Sequence, residues 1–361
     1  KGDFDIAVTD HMLYALAPLP YATGLLPILI NDEIDIEYLP PVKEAVNMSF
    51  GERNKRGFKM GMKKGIEYFF GLGSVTYFVS KSVASLDSAK GGSGLRKLKD
   101  ISPKMMMRYL AAKKKCKEEN RGLLPKDLFS LKGFMCAGTD NWCYKDDLEK
   151  MWGVRPMEIF AGTEPGCMGT ELWSRNGMYF FPDACFYEFI PEAEMLRNHE
   201  DPSYQPRTFL MDEVIPGEKY EIVVTVLKGG AFVRYRVGDV YRCLGIGSGE
   251  DGTKIPRFRY IDRVPWVIDI AGFTRITENS IDRAISLSGL KVEKWFALKE
   301  YTENNRPQLH LYLELDKETL ASTAVSVAIL KEHLSIYFKY VDGDYKDLEK
   351  ILGVDPLNIT V

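Results

Sequence analysis

Three short segments of the chain combine glycine with hydroxyl, carboxylate or guanidinium side chains in patterns that could do chemistry. They are residues 160–164 (FAGTE), 235–239 (YRVGD) and 258–263 (FRYIDR). In the first, backbone amides of a glycine turn and the hydroxyl of Thr163 could hold a phosphate, and the carboxylate of Glu164 could reach a divalent cation. The plainer alternative for such a segment is a polar β-turn.

The other two segments contribute a carboxylate and a guanidinium that could bind parts of a ligand. Asp239 ends a predicted strand directly after a glycine, and an aspartate so placed can bind ribose hydroxyls through its two acceptor oxygens. Arg263 presents a planar fork of donors that suits a phosphate or a ribose. The alternatives are an aspartate in a hairpin turn and a surface salt bridge.

The elements around these segments predict how they are positioned. Apolar periodicity predicts strands at residues 131–137 and 156–160 around a helix at 145–152. This β-α-β order places functional loops at the carboxyl ends of strands. Period-two alternation predicts antiparallel strands at residues 178–190, 219–227 and 231–244, with a hairpin turn at 229–230. By contrast, the Pro- and Gly-punctuated apolar residues 12–30 predict buried strand and turn.

After residue 262 the pattern changes to a small α+β unit. Strands are predicted at residues 266–270, 292–300 and 308–315, and helices at 278–287, 320–338 and 345–352. The fold class is therefore α/β, with mixed sheets in a large domain at 1–262 and a small, mobile α+β domain at 263–361. Both ends of the sequence look cut, because residue 1 is lysine and the last residues resemble a strand.

Composition excludes several classes of protein. The chain has 361 residues, with 48 Lys and Arg against 51 Asp and Glu, so its net charge of −3 gives no basic field for nucleic acid. No apolar run reaches the roughly 20 residues of a membrane span. Six dispersed cysteines without a CxxC pair predict reduced thiols and a cytoplasmic location. Four histidines without metal-ligand spacing argue against a zinc site or a Ser-His-Asp hydrolase.

In this order and at these separations, the three segments resemble the adenylate-forming enzymes, which include acyl-CoA synthetases, peptide-synthetase adenylation domains and luciferase. FAGTE is similar to their aromatic-Gly-x-Thr-Glu motif, and YRVGD to their Tyr-Arg-x-Gly-Asp motif. Residues 184–191 (ACFYEFIP) and 232–240 (FVRYRVGDV) resemble the plant acyl acid amido synthetases, which conjugate auxin and jasmonate to amino acids. The similarity runs from about residue 130 to 285.

The resemblance implies roles for the matching residues. Phe160 would pack against adenine near Gly138, and Thr163 would contact the α-phosphate. Glu164 would bind magnesium. In the other two segments, Asp239 would hold the ribose, and Arg263 would touch the ribose or the α-phosphate.

It also implies an AMP-forming ligase that uses ATP and Mg²⁺ to activate a small-molecule carboxylic acid and transfers it to an amine, such as an amino acid, or to CoA. The family's Gly-rich phosphate loop and carboxy-terminal lysine are not in the sequence; the glycines of residues 89–95 lack the phosphate-loop ending. Two alternatives remain: a non-catalytic nucleotide-binding or scaffold protein of the same fold, and an unrelated α/β transferase. The apolar residues Cys167 and Met168 could line an acyl pocket or belong to the core.

Overall fold

The structure, a computed structural model, describes residues 6–16, 22–31, 33–88, 101–227, 229–272, 274–303, 305–315, 327–342, 345, 348 and 355–361. Everything below concerns those residues. The first part of the chain contains β1 (His11–Ala15), α1 (Ala22–Ile30), β2 (Glu37–Leu39), α2 (Val42–Ala45), α3 (Phe50–Lys64), β3 (Tyr68–Leu72), α4 (Gly73–Ser88), α5 (Pro103–Glu118), α6 (Pro125–Leu128), β4 (Gly133–Ala137), α7 (Asn141–Trp152) and β5 (Met157–Gly162).

The middle of the chain is mostly strand. It contains β6 (Gly166–Glu171), β7 (Met178–Phe180), β8 (Phe186–Pro191), α8 (Glu192–Glu200), β9 (Lys219–Thr225), β10 (Tyr235–Ser248) and β11 (Thr253–Arg263). The last part contains β12 (Val267–Ile270), β13 (Thr274–Thr277), α9 (Glu278–Ser288), β14 (Val292–Tyr301), β15 (Pro307–Leu315), α10 (Val327–Val341) and β16 (Leu357–Thr360).

One mixed sheet of eleven described strands joins the first two parts. Its order is β2-β1-β3-β4-β5-β6-β7-β11-β10-β9-β8. Pairing is parallel from β2 to β5 and antiparallel from β5 onward. The parallel half is the β-α-β part and the antiparallel half the hairpin part, so the predicted α/β fold with mixed sheets is confirmed.

Local sequence signals mark where the helices begin. Ser49 caps α3 in a reciprocal capping box, in which its hydroxyl accepts from the amide of Glu52 and the Glu52 carboxylate accepts from the amide of Ser49. Ser102 caps α5, with Pro103 in the first helical position, where a missing N–H costs nothing. Thr277 caps α9 through the amide of Ser280. These signals fix the helices that flank the sheet.

Two predictions were wrong in detail. Residues 22–30 form a helix rather than strand and turn, although Pro27 lies inside it. Leu29 of this helix is exposed. The prediction of a strand failed because a short apolar run without alternation fits a helix as well as a strand. Residues 178–190 contain β7 and the start of β8 separated by a turn, not one strand. The loop at 89–95 and most of the predicted helix at 345–352 lie outside the described residues.

The carboxy-terminal part has its own hydrophobic core. A cluster of buried side chains fills the space between its strands and helices, with Leu309, Leu311, Leu334 and Phe338 almost fully buried. Two other clusters lie under the parallel and antiparallel halves of the main sheet. The strands of the carboxy-terminal part also form separate sheets, β12-β13 and β14-β15-β16. The boundary at residue 263 nevertheless stays a prediction.

Two negative findings concern the described residues. No helix among them is both long and apolar enough to cross a membrane. The six cysteines, all of which lie in the described part, form no disulfide.

We predict that the carboxy-terminal core can be destabilised without destabilising the main sheet. Leu334→Ala deletes a fully buried side chain in that core, a change that costs about 2–5 kcal/mol in typical cores. Hydrogen exchange should rise in residues 267–361 and stay unchanged in the main sheet. Leu148→Ala, at a buried site under the main sheet, should give the reverse pattern. A uniform rise in both variants would mean that the chain unfolds as one unit, and the boundary at residue 263 would be wrong.

Candidate active site

A cavity of about 560 Å³ lies at the carboxyl ends of β4 and β5, where they face β10 and the carboxy-terminal part of the chain. This volume lies in the range of small-molecule sites. The structure brings six of the residues named from the sequence to its wall: Gly138, Phe160, Thr163, Glu164, Asp239 and Arg263. Segments separated by about a hundred residues of sequence therefore converge on one space.

A tight hairpin presents Thr163 and Glu164 to the cavity. Strands β5 and β6 pair antiparallel up to Gly162 and Gly166, so the intervening residues form the turn. The Tyr235 hydroxyl donates to Glu164 Oε1 at 3.0 Å. Among the described residues no other hydrogen bond reaches the Glu164 carboxylate, so one oxygen is held in place while the other can accept from a ligand.

A bulge in β10 aims Asp239 at Arg263. The register with β9 shifts between Arg236 and Val240, and Gly238 inside the bulge has φ 78°, a left-handed conformation that favours glycine. Such bulges re-aim side chains. Asp239 is the register partner of Arg263 on β11, and its Oδ1 lies 3.1 Å from Arg263 Nε.

This ion pair is buried but not fully satisfied. Asp239 Oδ1 and Arg263 Nε are close enough for an ion pair, yet their angles do not make a hydrogen bond. Within the described part of the chain, neither atom has another hydrogen-bond partner. Arg263 Nη1 donates to the carbonyl of Val237 at 2.7 Å. Because buried polar atoms are normally hydrogen-bonded, a bound polar ligand at this position would complete the pair.

Burial controls the charge of Asp239. It raises the pKa of this carboxyl to about 7, against the opposing effect of Arg263, and the carboxylates of Asp269 and Asp262 add to the rise. Burial also raises the pKa of Asp269 and of Asp262. Burial therefore opposes ionisation of all three carboxyl groups around Arg263.

The carboxy-terminal part supplies the opposite wall. Asp269, Gly272 and Arg275 line the cavity, and β12 and β13 pair Asp269 with Arg275. Asp269 Oδ1 accepts from the Thr139 hydroxyl and from the Gly272 amide, each at 2.8 Å. Arg275 is exposed, and its charge lowers the pKa of Asp239, so a guanidinium faces the cavity from this side.

A buried charge cluster reaches the cavity wall through one of its members, Glu158. Lys145 Nζ lies 2.6 Å from Glu171 and 3.2 Å from Glu158, and Glu158 lines the cavity. Burial raises the pKa of Glu158, and Lys145 opposes that rise. This cluster fixes the start of β5, two residues before Phe160.

Two residues named for an acyl pocket lie elsewhere. Met168 is fully buried in the core of the antiparallel half, and Cys167 is exposed and absent from the cavity wall. The reason is the alternation of β6, which turns Met168 inward to the core and Cys167 outward. The apolar side chains that do line the cavity include Leu72, Ile159 and Met178.

Sequence reasoning missed several cavity residues, although some carried a signal. Tyr235 stands inside the YRVGD segment, and Glu158 lies two residues before Phe160 on the same strand face. Asp269 and Arg275 carried no signal, because their approach to the cavity depends on how the carboxy-terminal part packs.

We predict a pH effect on stability that belongs to Asp239. Its raised pKa keeps the carboxyl protonated in the folded chain after the unfolded chain, with an ordinary value of 3.8, has released the proton. The folded state then binds more protons between about pH 4 and 7, so rising pH lowers the free energy of unfolding in that window. Asp239→Asn should lose less thermal stability than the unaltered protein between pH 5 and 7. Asp147→Asn, on an exposed helix surface, is the control; identical pH profiles for all three proteins would contradict the assignment.

Comparison with known proteins supports the fold. A search of curated proteins finds no match. A 2-hydroxyisobutyryl-CoA ligase, solved with 2-HIB-AMP and CoA in the thioesterification state, is 15% identical with a TM-score of 0.59, and the match covers 98% of this chain and 61% of that one. The A-PCP didomain of carboxylic acid reductase from Segniliparus rugosus, solved with AMP, is 13% identical with a TM-score of 0.54, and the match covers 97% and 43%. This chain thus spans less than two thirds of either structure.

At the level of sequence, the central domain of the GH3 family matches residues 178–263. That stretch includes β7 to β11, and with them the YRVGD segment and Arg263. The resemblance drawn from the motifs is confirmed at this level: the chain has the fold of the adenylate-forming ligases, and residues 178–263 match the GH3 family central domain.

Proposed function

We propose that the chain is the nucleotide-binding part of an ATP-dependent, AMP-forming ligase that activates a small carboxylic acid as an acyl adenylate. One observation carries the proposal. A single cavity joins the Thr163-Glu164 turn to the buried Asp239–Arg263 pair. On one side of the cavity, a hydroxyl and a carboxylate match the phosphate end of a nucleotide. On the other side, the unsatisfied acid–base pair matches the ribose end.

The placement of the nucleotide follows from this pairing. Asp239 would accept from the ribose hydroxyls, which would supply the donor that its Oδ1 lacks. Phe160 would contact adenine, with Gly138 beside it, and Thr163 would bind the α-phosphate. Arg263 would contact the ribose or the α-phosphate.

The carboxylate of Glu164 fits a magnesium ion that is shared with the nucleotide. Among the described residues no group of three or more His, Cys, Asp or Glu side chains could hold a metal by itself. Mg²⁺ characteristically binds through one or two carboxylates together with substrate phosphates. Bound there, it would neutralise phosphate charge in the transition state.

The chemistry then requires positioning more than proton transfer. The substrate carboxylate attacks the α-phosphorus, a new O–P bond forms, and the bond to the β-phosphate oxygen breaks to release pyrophosphate. Arg263 and Arg275 would offset the charge that develops on the phosphate oxygens. An amine or a thiol, that is an amino acid or CoA, then attacks the acyl carbonyl and displaces AMP.

The acyl group would occupy the apolar part of the cavity. Leu72, Ile159 and Met178 line it, and small-molecule sites are mostly apolar with a few polar groups that fix orientation. We also propose that residues 263–361 move as a small domain between the two steps. The junction Arg263-Val264-Pro265 would be the hinge, since hinges consist of a few residues that absorb the backbone change.

Glu164→Gln should reduce ATP–pyrophosphate exchange at least a hundredfold. A neutral amide is a poor ligand for a hard cation, whereas AMP binding without magnesium should stay within threefold. Exchange is measured over a panel of carboxylic acids, and AMP binding by calorimetry. Glu250→Gln, in an exposed turn, is the matched control. Near-normal exchange with unchanged magnesium dependence would remove Glu164 from the metal site. AMP binding by the unaltered protein without exchange for any acid would favour the non-catalytic alternative.

At about pH 8, above the raised pKa of the Asp239 carboxyl, Asp239→Ala should weaken AMP binding by about ten- to a hundredfold, because a hydrogen bond to a charged group contributes about 1.5–3 kcal/mol. Binding of the carboxylic acid should change little. Calorimetry with each ligand measures both effects, and Asp212→Ala, at an exposed position, serves as the control. An unchanged AMP dissociation constant would exclude the ribose role.

A further inference from the structure

A buried polar contact outside the catalytic groups connects α7 to the carboxy-terminal part of the chain. Asp140 Oδ1 accepts from Lys299 Nζ at 2.7 Å and from the Tyr301 hydroxyl at 2.8 Å. Its other oxygen, Oδ2, accepts from the amide of Ala271 at 3.2 Å. All three donors come from beyond residue 263, so a single carboxylate binds three points of the carboxy-terminal part. We call Asp140, Lys299, Tyr301 and the Ala271 amide the Asp140 anchor.

The position of Asp140 in its own helix is unusual. It is the N-cap residue of α7, where aspartate normally accepts from an amide of the first turn. Here its side chain makes no such bond. The carboxylate instead faces the carboxy-terminal part, while the positive end of the helix dipole still favours its negative charge. The residue therefore gives up local capping for a contact across the interface.

Burial makes the anchor sensitive to the loss of either charged partner. The side chains of Asp140 and Lys299 are 3% and 8% exposed. Burial lowers the pKa of Lys299, but Asp140 and Asp262 raise it by more, so the lysine keeps its charge. Removing one member of a buried pair leaves the other uncompensated, which strongly disfavours the packed arrangement.

The anchor holds one wall of the cavity. Ala271 lies in the turn between β12 and β13, beside Asp269 and Gly272, which line the cavity. The Thr139 hydroxyl, one residue before Asp140, binds Asp269 at 2.8 Å. Arg275 is the register partner of Asp269, so fixing this turn also fixes the backbone position from which the Arg275 side chain reaches the cavity wall.

We infer that Asp140, through Lys299, Tyr301 and the Ala271 amide, is a positioning residue that holds the β12-β13 turn against the nucleotide cavity and so presents Arg275 to the Glu164 side. The first test below does not depend on the chemistry; the second rests on the proposed function.

The first test is hydrogen exchange of the full chain. In Asp140→Asn and in Lys299→Met, amides of residues 267–277 should exchange at least tenfold faster, and those of β14, β15 and α10 should not change. Tyr301→Phe, which removes one hydrogen bond and keeps the ion pair, should give a smaller increase. The controls change exposed members of the same elements: Asp147→Asn on α7 and Lys294→Met on β14. Unchanged exchange at 267–277, or an equal rise over the whole chain, would overturn the inference.

The second test is kinetic. In Asp140→Asn, kcat for ATP–pyrophosphate exchange should fall at least tenfold, while the KM for the carboxylic acid and the dissociation constant of AMP stay within threefold. Arg275→Gln should lower kcat similarly, and the double variant should be no slower than the slower single variant, because both changes remove the same guanidinium from the cavity. Multiplying effects in the double variant would overturn the positioning role. If the unaltered protein shows no exchange with any acid, the proposed function fails, and the hydrogen-exchange result alone decides whether the anchor holds the turn.

Discussion

The buried ion pair of Asp239 and Arg263 is the interaction on which the rest of the site depends. It joins the last two long strands of the main sheet at the point where the chain leaves for the carboxy-terminal part. The bulge at Gly238 sets its geometry, and the carbonyl of Val237 holds the guanidinium from behind. Both residues line the cavity, so the same contact joins the two strands and forms part of the cavity wall.

Around this ion pair, buried carboxyl groups outnumber the nearby cations. Asp239, Asp262 and Asp269 gather near Arg263 and Lys299, and burial raises the pKa of all three carboxyls. A cluster of this kind is costly without a ligand and cations to complete it. Perturbed pKa values in a cleft are typical of functional sites. This cost supports the proposal of a site that ribose hydroxyls and a magnesium–phosphate group would complete.

The interface with the carboxy-terminal part is built from polar contacts as well as from packing. Asp140 binds donors from beyond residue 263, and Arg306 lies over the ring of Phe78 at 4.8 Å. The carboxy-terminal part keeps its own apolar core. An apolar cluster that includes Val240 and Val267 also spans residue 263, so separating the two parts would expose apolar surface as well as break polar contacts.

Local chemistry made much of the site readable from the sequence. Thr163 and Glu164 follow a strand at a glycine turn, as their spacing predicted. Asp239 was expected at the end of a strand but lies at a bulge inside β10. The tertiary structure decided what depends on packing. Met168 faces the core because of strand alternation. The short apolar run of α1 fits a helix or a strand, and only the folded chain shows that it is a helix. Asp140 contacts Lys299 across 159 residues of sequence. Such contacts leave no periodicity in the sequence, because they arise only when separately folded surfaces come together.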